Sequence, residues 1–355
     1  KLKIAIISYL GNPIAEPFKG GMESFTHYIA KALMARGHEV IVFAAKGTDT
    51  GINPYIICDS TKSFDEDYEY AKTINIIHSS DFDIVHNNTF HHIPISQGHT
   101  LSVPMVTTLH TPPFEFFEQS IKQSCNKNNT FVAVSNYAQQ IWSPIIKTEV
   151  IHNGIDLQKF FPLNNNEKEN YAIWYGRIAP KKGTLHAIKA ALKAGIPLKI
   201  AGPIFDDEYF ENEIKPLLQG CLSKNDTEYL GALPHDILCK IIAKARVSLF
   251  IPEIGEAYGL VAAESLACGT AVASLNRGAM PEILNEKSGV LAQPNNIDSL
   301  SEALLKAMTL KTEDCRKRAE EIADINVMVD KYEELYYKLA KTKIKKRHRL
   351  YTVGS

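Results

Sequence analysis

The chain reads as two doubly wound α/β halves, each built on a parallel sheet. Three observations predict this. Short β-branched runs alternate with helical patterns, the links between them are short, and the alternation breaks once near the middle before resuming. The 355 residues suffice for two ordinary domains. With 45% apolar and 22% charged residues, each half can bury a sizeable core.

In the first half, residues 3–8, 40–44, 83–86, 105–109, 131–134 and 150–151 read as strands, several apolar enough to be covered on both faces. A helix is expected from about 22 to 36, with Phe25, Tyr28, Ile29, Ala32 and Leu33 as its buried stripe. Arg36, Gly37 and His38 close it, the glycine standing where positive φ is needed. Asn153, Gly154, Ile155 and Asp156, followed by the polar run 164–170, mark the break. Strands then follow at 171–175, 198–201, 247–251, 271–274 and 290–292. Helices are expected at 183–194, 207–218, 236–245, 260–267 and 298–308. These are two Rossmann-like halves, and ligands of such sheets bind at strand C-terminal ends. A last helix is predicted over about 327–341, with Val329, Tyr332, Leu335, Tyr336 and Leu339 on one side.

Composition excludes several classes. No run of 18 apolar residues suggests a membrane span. The strand pattern starts at Lys3, so no signal peptide is expected. Six scattered cysteines without a C-x-x-C pair argue for reduced thiols in a cytoplasmic setting, and against a disulfide scaffold or a zinc site. Net charge is −1 but uneven, because seven Lys or Arg and no acid follow from Lys338 onward. This basic tail is expected either to be solvated or to touch the anionic inner face of a membrane. The acidic body speaks against nucleic acid as a partner.

The most telling segment is Glu256, Ala257, Tyr258, Gly259 and Leu260, which leads into a helix carrying Glu264. A helix N-terminus offers unpaired N–H groups and partial positive charge, which suits a phosphate. Glu264, one turn further, can accept two hydroxyl hydrogen bonds, as from a ribose diol. Arg177 and Lys182 flank a second turn, ended by Gly183, after the first strand of the second half. Both can point at one diphosphate, Arg as a planar fork and Lys as a point charge. Lys181 is read as a solvated extra cation. Gly20 and Gly21 open the first helix and permit close backbone approach to an anion. No G-x-G-x-x-G follows the first strand, which counts against a nicotinamide dehydrogenase.

Glu256 and Glu264 with Tyr258-Gly259-Leu260 between them, and Ala267-Cys268-Gly269 after, resemble the E-x7-E signature of retaining glycosyltransferases of the GT-B fold, in particular glycosyltransferase family four. Residues 176–183 are similar to the family's G-R-x-x-x-x-K-G motif, and Gly20-Gly21-Met22-Glu23 to its G-G-x-E loop. Arg277-Gly278-Ala279-Met280-Pro281-Glu282 matches its G-x-P-E loop approximately. Ala257 departs from the usual glycine or proline, read as a tuning of the turn.

The resemblance implies 1–155 as an acceptor-side domain, 156–325 as a nucleotide-sugar domain, 326–345 as a helix returning to the first domain, and 346–355 as the basic tail. It implies transfer of a sugar from a nucleotide-diphosphate donor, most simply a UDP-sugar, to a glycan, glycolipid or small-molecule hydroxyl. His110 and Glu256 would position the sugar, Arg177 and Lys182 the diphosphate, and Glu264 the ribose. The base would meet backbone around Ile204 and Leu230. Neither cofactor nor metal is expected, and two D-x-D patterns (Asp65-Glu66-Asp67, Asp81-Phe82-Asp83) are rejected as metal sites, with no other ligand cluster anticipated. The competing readings are a UDP-sugar epimerase on the same fold, a glycogen- or sucrose-type transferase or phosphorylase, against which the short, insertion-poor first half speaks, and a sugar-nucleotide binding protein without turnover.

Overall fold

A computed structural model describes residues 1–163, 167–220 and 227–352, with side chains through Lys341. The side chains of the basic tail beyond Lys341, and with them the membrane-contact expectation, lie outside the described residues. The chain forms two compact units, one of Lys1–Gly154 with Ile325–Ser355 and one of Ile155–Asp324.

The first unit is a seven-stranded parallel sheet: β1 (Lys3–Ile7), β2 (Glu39–Ala45), β3 (Pro54–Cys58), β4 (Ile84–Asn87), β5 (Met105–Leu109), β6 (Asn129–Ala133) and β7 (Thr148–Val150), in the order β3-β2-β1-β4-β5-β6-β7. Helices α1 (Gly21–Ala35), α2 (Glu66–His78), α3 (His92–Gln97), α4 (Glu115–Gln123) and α5 (Asn136–Trp142) connect the strands. The predicted end of α1 is a Schellman turn, with Gly37 N–H bonded to Met34 O and His38 N–H to Leu33 O, at a Gly37 φ of +85°. β3 escapes the sequence pattern because it opens on a proline and lies at the sheet edge, where no ladder donor is needed at that position.

The second unit has six parallel strands, β8 (Glu169–Tyr175), β9 (Leu198–Ala201), β10 (Thr227–Tyr229), β11 (Ala245–Phe250), β12 (Ala271–Leu275) and β13 (Gly289–Ala292), ordered β10-β9-β8-β11-β12-β13. Around it lie α6 (Thr184–Ala194), then α7 (Asp207–Tyr209) continuing through a π-helical turn into α8 (Lys215–Gly220), α9 (His235–Lys244), α10 (Leu260–Ala267), α11 (Met280–Ile283), α12 (Ile297–Ala307) and α13 (Thr312–Ile322). In both sheets the strand order reverses beside the first strand, at β1/β4 and at β8/β11. A doubly wound sheet opens its ligand crevice at such a point.

The chain then re-enters the first unit as α14 (Ile325–Thr352). Met328, Val329, Tyr332, Leu335 and Tyr336 are buried against α1, β1 and β4. The seam also has a polar core. Tyr336 Oη meets His86 Nδ1 at 2.6 Å, His86 Nε2 meets Thr108 Oγ1 at 2.7 Å, and Thr108 meets Tyr332 Oη at 2.9 Å. Burial drives His86 down to about 3, so it is neutral and both ring nitrogens are satisfied by hydroxyls. Arg36 and His38 at the end of α1 pair with Glu333 on the rim. No helix among the described residues is long and apolar enough to cross a membrane.

Candidate active site

In the second unit, the two loops at the β8/β11 switch point carry the motif residues. The first runs from Gly176 to Gly183, and Trp174 Nε1 donates to Lys182 O at 3.2 Å, which fixes its far end. The second runs from Pro252 to Gly259 and is tied by Glu253 in three directions. Glu253 N–H donates to Lys181 O at 3.1 Å, its carbonyl accepts from Arg277, and its carboxylate accepts from His186. Gly259, at a φ of +98°, caps α10, whose first intrahelical bonds run from Ala262 and Ala263 N–H to Gly259 O. The amides ahead of them have no partner within the helix, leaving a positive helix end facing the turn.

Lys182 and Glu256 are brought into a direct ion pair between these loops, both partly buried. Arg177 is exposed and lies over the Phe205 ring, its guanidinium carbon 4.9 Å from the centroid. That stacking is possible because loops 176–178 and 202–205 run parallel, with Ile178 bridged to Ile204. Ile204 is partly exposed, and Leu230 N–H is bonded to Ile200 O at 2.8 Å. Ala257 and Tyr258 are buried, and Tyr258 Oη donates to Ile322 O at 3.3 Å.

Glu264 sits one turn into α10. Burial raises its carboxyl to about 8, while the Tyr175 hydroxyl and, more weakly, Lys159 hold it lower than burial alone would. Tyr175 Oη is anchored by Val261 O at 2.7 Å and Ser265 Oγ at 3.1 Å. An acid in such a setting is poised for ligands that compensate its charge with hydroxyl donors.

Gly278, at a φ of +63°, lies against the loop so closely that an added Cβ would meet Glu256 N at 2.6 Å and Glu256 O at 2.8 Å. Both atoms are backbone and cannot swing aside, and Ala279 N–H also holds Glu256 O at 3.1 Å. Gly278→Ala is therefore expected to cost about 1–3 kcal/mol of stability and to displace Glu256. Thermal unfolding and nucleotide affinity check this; a variant matching the parent in both would show that the loop tolerates the side chain.

In the first unit, Gly20 caps α1 in extended conformation and Gly21 begins it. Asn12 Nδ2 donates to Glu23 Oε1 at 3.0 Å, tying the preceding loop to the helix start. His110 follows β5, and its Nε2 meets Asn88 Oδ1 at 3.2 Å while Phe25 packs edge-on at 4.7 Å. Burial drives His110 down to about 3, leaving a neutral imidazole. With Nε2–H donating to Asn88, Nδ1 is the free acceptor. Asn88 Nδ2 is buried with no hydrogen-bond partner. Sequence reading passes over Asn88, Tyr175 and His186, and names Arg277 only as part of the G-x-P-E loop, because each acts through a residue distant along the chain.

In the first unit, Asp67 of the Asp65-Glu66-Asp67 run lies beside His91 and His92, a grouping of carboxylate and imidazoles that the sequence reading did not anticipate. The chain passes from β4 into α3 beside the start of α2, a proximity that no local pattern announces.

Two parallel-sheet units with glycine-bearing loops and a helix N-terminus at a switch point are the architecture of the GT-B fold. The family Glycosyl transferases group 1 matches residues 156–324, and Glycosyltransferase Family 4 matches residues 19–159. The chain belongs to this group of glycosyltransferases. An uncharacterized glycosyltransferase of Methanocaldococcus jannaschii is 26% identical over 262 residues, covering 68% of this chain and 70% of the relative. Sucrose-phosphate synthase from Thermosynechococcus elongatus has the same fold at a TM-score of 0.82, with 18% identity, 96% of this chain and 100% of that one covered. HepE of Anabaena, in complex with UDP and glucose, gives 0.77 at 18% identity, with 96% and 100% covered.

Proposed function

We propose that this glycosyltransferase is a retaining, metal-independent enzyme that transfers a sugar from a UDP-sugar to a hydroxyl acceptor in glycan or glycolipid synthesis. The observation that carries the reading is the convergence of Lys182, Glu256 and the α10 N-terminus at the β8/β11 switch point, with Glu264 one turn behind. The UDP and UDP-glucose complexes of the Anabaena neighbour support a uridine donor.

Arg177, Lys182 and the α10 amides neutralise charge on the departing diphosphate. Diphosphate binding draws Lys182 away from Glu256 and frees that carboxylate for sugar hydroxyls. Glu264 accepts from the ribose diol, and neutral His110 accepts a sugar hydroxyl through Nδ1. The bond from the anomeric carbon to the diphosphate oxygen breaks and the bond to the acceptor oxygen forms on the same face. The acceptor proton passes to the leaving diphosphate oxygen, so no protein nucleophile is required.

Thermal unfolding with UDP, GDP, ADP and NAD, all in EDTA, tests the reading. Ligand at ~100 times its Kd adds about 2.7 kcal/mol of stability. UDP alone is expected to raise Tm. A shift only with another diphosphate reassigns the base, and no shift with any, or a shift only with NAD, overturns the site.

A further inference from the structure

We propose that Asp67, His91 and His92 form a divalent-metal site, fitted to zinc, that clips the start of α2 to the loop entering α3. Asp67 Oδ1 lies 3.3 Å from His91 Nε2 and 3.5 Å from His92 Nε2. Around a tetrahedral zinc with bonds of about 2.0–2.1 Å, neighbouring ligand atoms stand roughly 3.3 Å apart. Both edges already have that length, and ligand atoms of all three residues lie within 4.8 Å of one another. Glu66 Oε2, 3.7 Å from His91 Nε2, offers a fourth oxygen, with water as the alternative.

The rings are held in place by packing. His91 stacks on His92 at 4.6 Å, and the buried Tyr70 ring stacks on His91 at 4.3 Å. Phe116 meets His92 edge-on at 5.2 Å. His92 Nδ1 is buried without a hydrogen-bond partner. His91 Nδ1 accepts from Ile93 N–H at 3.3 Å, a long bond that ligation through Nε2 gives up as the ring proton moves to Nδ1. Asp67 and Glu66 side chains are 60% and 43% exposed, so an ion enters directly from solvent. Two imidazoles with carboxylate oxygens suit zinc and its first-row neighbours better than magnesium or calcium, which prefer oxygen alone. The clip braces the segment that carries Asn88, the partner of His110, yet shares no residue with the diphosphate loops. It is therefore compatible with metal-free donor binding.

The test is calorimetric titration of zinc into the full, untagged chain bearing Cys125→Ser and Cys221→Ser, the first of which removes the exposed free thiol among the described residues. One zinc per chain is expected to bind saturably and to raise Tm. Asp67→Asn and His92→Gln should each weaken binding by at least about tenfold, since even outer-shell partners of a metal act on that scale. Cobalt should give a tetrahedral visible spectrum without a thiolate charge-transfer band. Absence of saturable binding overturns the proposal. So does equal affinity in both variants, which would move the ion to other surface histidines. Both variants alter partly exposed side chains, and circular dichroism verifies that they fold.

Discussion

Arg177→Ala should lower kcat/KM by about 2–4 kcal/mol of transition-state stabilisation, and Lys182→Ala by a similar amount. The two cations reach the diphosphate differently. Arg177 is exposed and steered by the Phe205 ring, whereas Lys182 is partly buried and neutralised by Glu256 before any ligand arrives. Removing Lys182 takes a charge from the diphosphate and also leaves Glu256 without its partner. The double variant Lys182→Ala, Glu256→Gln should therefore lose less than the sum of the single losses. Initial rates with the nucleotide sugar identified by thermal shift measure this. Near-parental turnover in both single variants would remove these residues from the site.

Glu264→Gln should change how stability depends on pH. The Glu264 carboxyl is raised from about 4.5 to about 8 in the folded chain. Between those values the native state holds a proton that the unfolded state has lost, so this group makes stability fall as pH rises. The penalty is absent below the unfolded value, grows through pH 4.5 to 8, and is complete above the folded value, where it amounts to a few kcal/mol at most. Glu264→Gln is expected to unfold at a higher temperature than the parent at pH 8.5 and at the same temperature near pH 4. In the proposed function, UDP binding favours the carboxylate. The parent should then show an extra gain in UDP affinity between pH 6 and 8 that the glutamine variant lacks. Parallel melting curves across this range would refute a raised Glu264.

What the sequence made legible is local. The α10 turn with Glu256 and Glu264, the Arg177 to Lys182 turn, and the strands at the sheet centres all follow from patterns within a dozen residues. The unread parts are of two kinds. Some elements carry too little apolar signal. α13 buries only Thr312, Cys315 and Ala319, and β10 is a three-residue edge strand. The rest are contacts between distant positions: Asn88 on His110, Gly278 under Glu256, Tyr175 behind Glu264, and Asp67 beside His91 and His92. These depend on crossovers that bring loop ends together, and periodicity carries no information about them.

The route of the chain through α14 has a consequence for biosynthesis. The second unit is one continuous stretch and can complete its core as soon as it has left the ribosome. The first unit cannot. Its β4 buries His86, whose ring nitrogen waits for the hydroxyl of Tyr336, and the faces of α1 and β1 wait for Val329 and Tyr332. At about 5–20 residues per second, the stretch from Ile155 to Asp324 keeps that groove uncovered for roughly 10–30 seconds. The N-terminal sheet thus spends its first moments with part of its core uncovered. Its last structural element arrives only after the whole of the other unit has been made.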